Sequence, residues 1–181
     1  ATPSLHRSDD DQLRAHLAAW LMPHYWLMKT EPDVFSFDDL LKAKGKTSAW
    51  EGVRNYQARN LMRDEFKLGD QVFFYHSSCA VPGIVGIAEV VREGYPDQTA
   101  LDEKSPYFDE KSKKRGSSQW SMVDVKARAR LAEPLSLTML RDIKGLDGML
   151  LLKRGMRLSV QPVTPREAKI LLKLGKPIPF P

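Results

Sequence analysis

From Trp120 to Leu131 the chain alternates without a break, with Val123, Val125, Ala127, Ala129 and Leu131 on one side and Asp124, Lys126, Arg128 and Arg130 on the other. A period of two suits only an extended strand with one face on a core and the other in water. Gln71-Val72-Phe73-Phe74-Tyr75-His76 is a second strand, rich in aromatic and β-branched side chains that fit a pleated surface. The turn Val81-Pro82-Gly83 joins it to a third strand from Gly83 to Val91, in which Gly86 predicts a bulge or a close backbone approach. Tyr25 to Lys29 and Arg157 to Gln161 read as shorter strands.

Helices fall between them. Ser36-Phe37-Asp38-Asp39 resembles a capping box ahead of Leu40 and Leu41, and Tyr56, Ala58, Leu61, Met62 and Phe66 keep a helical period after Asn55. Ser136 caps a short helix through Ile143, and Thr164-Pro165-Arg166-Glu167 opens one that runs to Leu174. Tyr95 to Ser118 shows no period and is read as a long surface loop in which Tyr107 or Phe108 either closes over a ligand or anchors the loop. Strands and helices do not alternate regularly. The expected class is therefore α+β, a small, mostly antiparallel β-barrel flanked by short helices.

The chain has 181 residues, enough for one well-cored domain. Residues 1–21 differ in character from the rest of the chain and are read as a leader or mobile arm, with the domain over 22–176 and an extended tail over 177–181. No apolar run approaches the roughly 18 to 20 residues that span a bilayer, so no membrane association is expected. Cys79 is the single cysteine, which excludes an internal disulfide and any thiolate-rich zinc site and fits a reducing, cytoplasmic setting. Oligomeric state is open on the sequence alone. A net charge of +5 suits a polyanion binder without requiring one.

Walker, Gly-x-Gly-x-x-Gly, His-Glu-x-x-His and Gly-x-Ser-x-Gly patterns are all missing. The alternative of a hydrolase or nuclease rests on His76 with Ser77 or Cys79, and strand alternation turns Cys79 away from His76. Two histidines and one cysteine beyond the leader, without short spacing, make a poor metal set, and no cofactor is expected. The stretch from Trp50 to Asn55 instead gathers an aromatic, a glycine, a guanidinium and an amide where loop passes into helix. Trp26, Trp50, Tyr75 and Trp120 offer stacking faces, and Asn55, Ser77 and Ser78 offer groups for a base edge. Lys29, Arg54 and the cations Lys126, Arg128 and Arg130 offer phosphate contacts. Core packing explains the aromatics equally well, and a solvated face is the usual reading of the three strand cations.

Five blocks carry a resemblance: Tyr25-Trp26-Leu27-Met28-Lys29-Thr30-Glu31-Pro32, Trp50 to Ala58, Phe73 to Ser77, Pro82 to Gly86 and Arg157 to Val163. Together they resemble the EVE domain family over Tyr25 to about Leu174. The resemblance implies a PUA-like barrel related to YTH domains and a non-enzymatic module that holds a flipped, modified base, cytosine or adenine, in DNA or RNA. It implies that Trp26 and Lys29 come from the first strand. Trp50, Val53, Arg54 and Asn55 would line the pocket from the loop, and Tyr75, His76, Ser77 and Ser78 from the facing strand. A PUA-type RNA module without base flipping is the remaining alternative.

Overall fold

The computed structural model describes residues 23–180, so the leader expected over residues 1–21 lies outside it. Along the chain come β1 (Tyr25–Thr30), α1 (Phe37–Lys42), β2 (Thr47–Trp50), α2 (Tyr56–Asp64), β3 (Gln71–His76) and β4 (Gly83–Pro96). They are followed by α3 (Glu110–Arg115), β5 (Ser121–Ser136), α4 (Leu137–Arg141), β6 (Val160–Val163), α5 (Pro165–Gly175) and β7 (Pro177–Pro179). The strands form one sheet in the order β2-β5-β4-β3-β1-β6, with β7 added on β5. β1 and β3 run parallel, and the other pairings are antiparallel. The α+β class and the mostly antiparallel sheet stand. The closed barrel does not, because β2 and β6 end the ladder without pairing to each other among the described residues.

The long alternation folds as a strand, but its apolar residues do not share one face. Ala88 of β4 pairs with Ala127 and Ile87 with Ala129, so Arg128 is an extra residue on β5. One extra residue inverts the sides of all the residues beyond it. Val123, Val125 and Ala127 accordingly pack in one core with Phe74, Trp50 and Met28. Ala129 and Leu131 pack in the other, with Phe73, Tyr75 and Leu27. The sheet thus buries apolar side chains on both faces. Gly86 meets both readings of it: Val85 bulges out between Ile84 and Gly86, and a Cβ on Gly86 would collide with the Phe37 ring.

The helix ends obey local chemistry. Ser36 and Asp39 form a reciprocal capping box on α1, Thr164 and Glu167 do the same on α5 with Pro165 at its start, and Asn55 and Ser136 cap α2 and α4. The segment from Tyr95 to Ser118 is more ordered than the loop expected there. β4 continues to Pro96, Asp97 caps a 3₁₀ turn at Gln98–Ala100, and Asp109 caps α3, which ends at left-handed Gly116. The buried side chains of Asp97, Ala100 and Ser112 fasten this segment to the body. β2 is an addition to the expected strands, and it places Trp50 on the edge of the sheet beside Val123. Pro177–Pro179 lies as β7 against Ala129 to Leu131.

Candidate functional site

A cavity of about 770 Å³ opens between the end of β1, β2 and the loop Glu51 to Arg54. Its apolar wall is Trp50, Phe35, Val34 and Val53, with the Phe35 and Trp50 rings set edge to face at 6.4 Å. Trp50 is only 6% exposed, because Phe74 packs against its other side at 5.3 Å between centroids. Polar groups of both kinds ring the space: Lys29 and Arg157 as donors, Glu31 and Glu51 as acceptors, and Ser48, Ser77 and Ser159 as either. A volume in this range, with an apolar, aromatic wall and a few polar groups around it, is the form of a small-molecule or single-residue site.

The loop over the cavity is held by one buried carboxylate. Asp97 Oδ2 accepts from the Gly52 N–H at 2.9 Å and from Arg54 Nη1 at 2.7 Å, while Oδ1 accepts from the N–H and the hydroxyl of Thr99. Burial pushes the Asp97 carboxyl up, but the hydrogen bonds from Arg54, Thr99 and Gly52 outweigh it and hold its pKa below the ordinary value. Arg54 also donates from Nε to the Tyr107 carbonyl at 2.9 Å. Gly52 sits at φ 78°, where a side chain is strained, and a Cβ there would lie 2.6 Å from the Tyr107 ring. Glycine is required for that ring to close the cavity's flank.

Lys29 donates to the Met156 carbonyl at 3.4 Å, and burial lowers its pKa. Glu51 makes no side-chain hydrogen bond or ion pair among the described residues. Burial and the neighbouring Asp97 raise its pKa against the pull of Arg54. Its carboxylate is therefore an acceptor with no structural partner.

Of the ten residues expected to hold a base, the cavity brings together Lys29, Trp50, Val53, Arg54 and Ser77. The other five stand elsewhere. Trp26 stacks on Phe66 at 4.2 Å and donates its ring N–H to Asp70 at 2.8 Å, beside a separate groove with Pro162 and Pro165. Tyr75 is buried in the second core, on the face opposite Phe74. Asn55 Oδ1 accepts from the Ala58 N–H and so serves the helix start. His76 Nε2 accepts from the Phe37 N–H at 3.1 Å, and burial lowers its pKa. Ser78 turns the chain at φ 52° outside the cavity. Of the cations expected to hold phosphate, Arg128 makes a two-pronged pair with Glu89 at 2.9 and 3.0 Å, and Arg130 pairs with Asp38. Lys126 has no carboxylate partner among the described residues.

Thr30, Phe35, Ser48, Glu51, Tyr107, Arg157 and Ser159 line the cavity and are absent from the base-binding set expected on sequence. Tyr107 carried a signal, a large aromatic set among charges. Glu51 and Thr30 sit next to expected residues, Trp50 and Lys29, while Phe35, Ser48, Arg157 and Ser159 are brought in by the packing of separate segments.

The chain is 44% identical to thymocyte nuclear protein 1 of Gallus gallus over 173 residues, covering 86% of this chain and 70% of that protein. A solved structure of a hypothetical protein from Leishmania major superposes with a TM-score of 0.80 at 49% identity, over 86% of this chain and 96% of that one. The human THYN1 protein, solved in complex with 5-methylcytosine-containing DNA, superposes with a TM-score of 0.76 at 40% identity, over 84% of this chain and 98% of that one. The EVE domain model matches residues 24–174, and the chain belongs to the EVE domain family.

Proposed function

We propose that the cavity receives one nucleobase extruded from DNA, a modified cytosine in the first instance, and holds it without chemistry. The observation that carries this reading is the cavity itself: an aromatic wall at Trp50, an apolar side at Val34, Phe35 and Val53, and polar groups of both kinds, of which the side chains of Arg157, Glu31 and Glu51 have no partner among the described residues. Stacking supplies affinity that does not depend on the base, and hydrogen bonds to its edge supply the choice. A methyl group on the ring gains from the apolar side. The human relative's complex with 5-methylcytosine DNA supports the same ligand class here. A non-enzymatic role is supported by His76, whose Nε2 lone pair is taken by the Phe37 N–H and so does not activate Ser77 or Cys79. The expected cytoplasmic setting gives way, for a DNA reader, to wherever the DNA lies.

Glu51 has a specific part in this reading. A carboxylate accepts from the exocyclic amino group of cytosine, and Glu51 is an acceptor in the cavity with no other side-chain engagement among the described residues. Titrating labelled DNA duplexes that differ by a single 5-methylcytosine tests both points, with N6-methyladenine duplexes and matched RNA as further arms. The methylated cytosine duplex is expected to bind roughly five- to tenfold tighter than the plain one. Glu51→Gln should erode the preference for cytosine over other bases. Because the Glu51 pKa is raised, the wild type should lose affinity on acidification at a pH above the ordinary carboxyl value of 4.5, and the variant should not. Equal binding to every probe, or tighter binding to structured RNA, removes the proposal.

A further inference from the structure

Beside the cavity lies an aromatic and cationic surface that the capture of a single base does not use. Tyr56, the first residue of α2, is 52% exposed, yet its ring is ordered on one side, stacked on Trp120 at 4.9 Å and 26°. Trp120 is itself buried, 6% exposed, and its ring also lies 5.5 Å from the Arg54 guanidinium. Arg54 in turn lies 5.8 Å from the ring of Tyr107. Arg54 and Tyr107 both line the cavity. A continuous series of flat groups thus leads from the cavity rim to an exposed tyrosine face.

Its setting is cationic. The Arg59 guanidinium lies 5.1 Å from the Tyr56 ring, held by donation from Nη1 to the Gln119 carbonyl at 2.6 Å. Gln119 donates from its side chain to Asp109, the cap of α3. On α3, Lys113 and Lys114 are paired with Glu103 and Glu110. Lys111 and Arg115, four residues apart and so on one side of the helix, have no carboxylate partner among the described residues. A rigidly backed aromatic face beside Arg59, which has no carboxylate partner among the described residues, is the make-up of a stacking subsite for nucleic acid.

We infer that the exposed face of Tyr56 is a second nucleotide subsite, stacking the base next to the one in the cavity while Arg59 takes the adjoining phosphate. This inference rests on the cavity's holding a base. Tyr56 serves no other evident need: Asn55 caps the helix without it, and the buried side of α2 is formed by Ala58 and Met62.

Two probes separate the subsites: the mononucleotide 5-methyl-dCMP, and a single-stranded pentanucleotide with 5-methylcytosine at its centre. The wild type is expected to bind the pentanucleotide more tightly. Tyr56→Ala should lose about tenfold for the pentanucleotide, leave the mononucleotide affinity unchanged, and unfold at the wild-type temperature. Tyr56→Phe, which keeps the ring, should match the wild type on both. If Tyr56→Ala changes neither affinity, or lowers both equally, the second subsite is wrong while the cavity reading stands. If the wild type binds neither probe, the cavity reading itself has failed.

Discussion

Replacing Asp97 with alanine is expected to cost about 3 kcal/mol of folding stability and to loosen the loop that frames the cavity. The carboxylate is fully buried and accepts four hydrogen bonds, from Gly52, from Arg54 and two from Thr99. Removing one partner of such a pair leaves the Arg54 guanidinium without its counter-charge and the Gly52 N–H without an acceptor, and breaking a buried pair typically costs about 3–5 kcal/mol. The lower end applies because the Arg54 side chain keeps 23% of its exposure and recovers some solvation. The same group gives a pH signature. Its folded pKa lies below the ordinary 3.8, so its contribution is complete above that value and drains away as pH falls through the folded value. Asp97→Asn should therefore show a shallower acid limb than the wild type in urea unfolding followed from about pH 7 down to about pH 2. A loss under about 1 kcal/mol in Asp97→Ala would mean that the loop is held by something else.

Trp50→Ala should be costly twice over. Trp50 packs edge to face on both Phe35 and Phe74 in the first core, and truncating a buried aromatic to alanine costs about 3–5 kcal/mol. Trp50 also lines the cavity, where the proposed base stacks on it, and losing a stacking surface typically costs about 1–3 kcal/mol per base. Trp50→Phe separates the effects, because a smaller ring preserves much of the packing while shrinking the stacking face. Thermal unfolding reads the first and a DNA titration the second, at a temperature where each variant is folded. Unchanged affinity in a folded Trp50→Ala would end the stacking role while leaving the core role intact.

These two residues also mark what the sequence reveals and what it hides. Trp50 and Arg54 stand out because ring, glycine and guanidinium crowd a helix start, and the caps at Ser36, Asn55 and Thr164 can be read directly. Asp97 cannot be read that way. It lies 43 residues from Arg54, and only the ladder from β2 through β5 to β4 brings the two together. The choice between Phe74 and Tyr75 is hidden for a related reason. A sheet covered on both faces makes Val72 to Tyr75 one apolar run, so no alternation shows which residues turn toward Trp50. The bulge at Arg128 removes a second cue, since an unbroken alternating pattern in the sequence crosses from one core to the other in space. β2 is four residues of modest strand propensity, recognised as a strand only by the partner it finds on β5.

The most direct test is a crystal structure of the protein with a short DNA duplex carrying one 5-methylcytosine. That base is expected to be turned out of the helix and to lie against Trp50, its methyl group toward Val53 and Phe35 and its amino group within hydrogen-bond reach of Glu51. A duplex bound with every base stacked in place, or seated on another face of the sheet away from the loop Glu51 to Arg54, would contradict the assignment of the cavity.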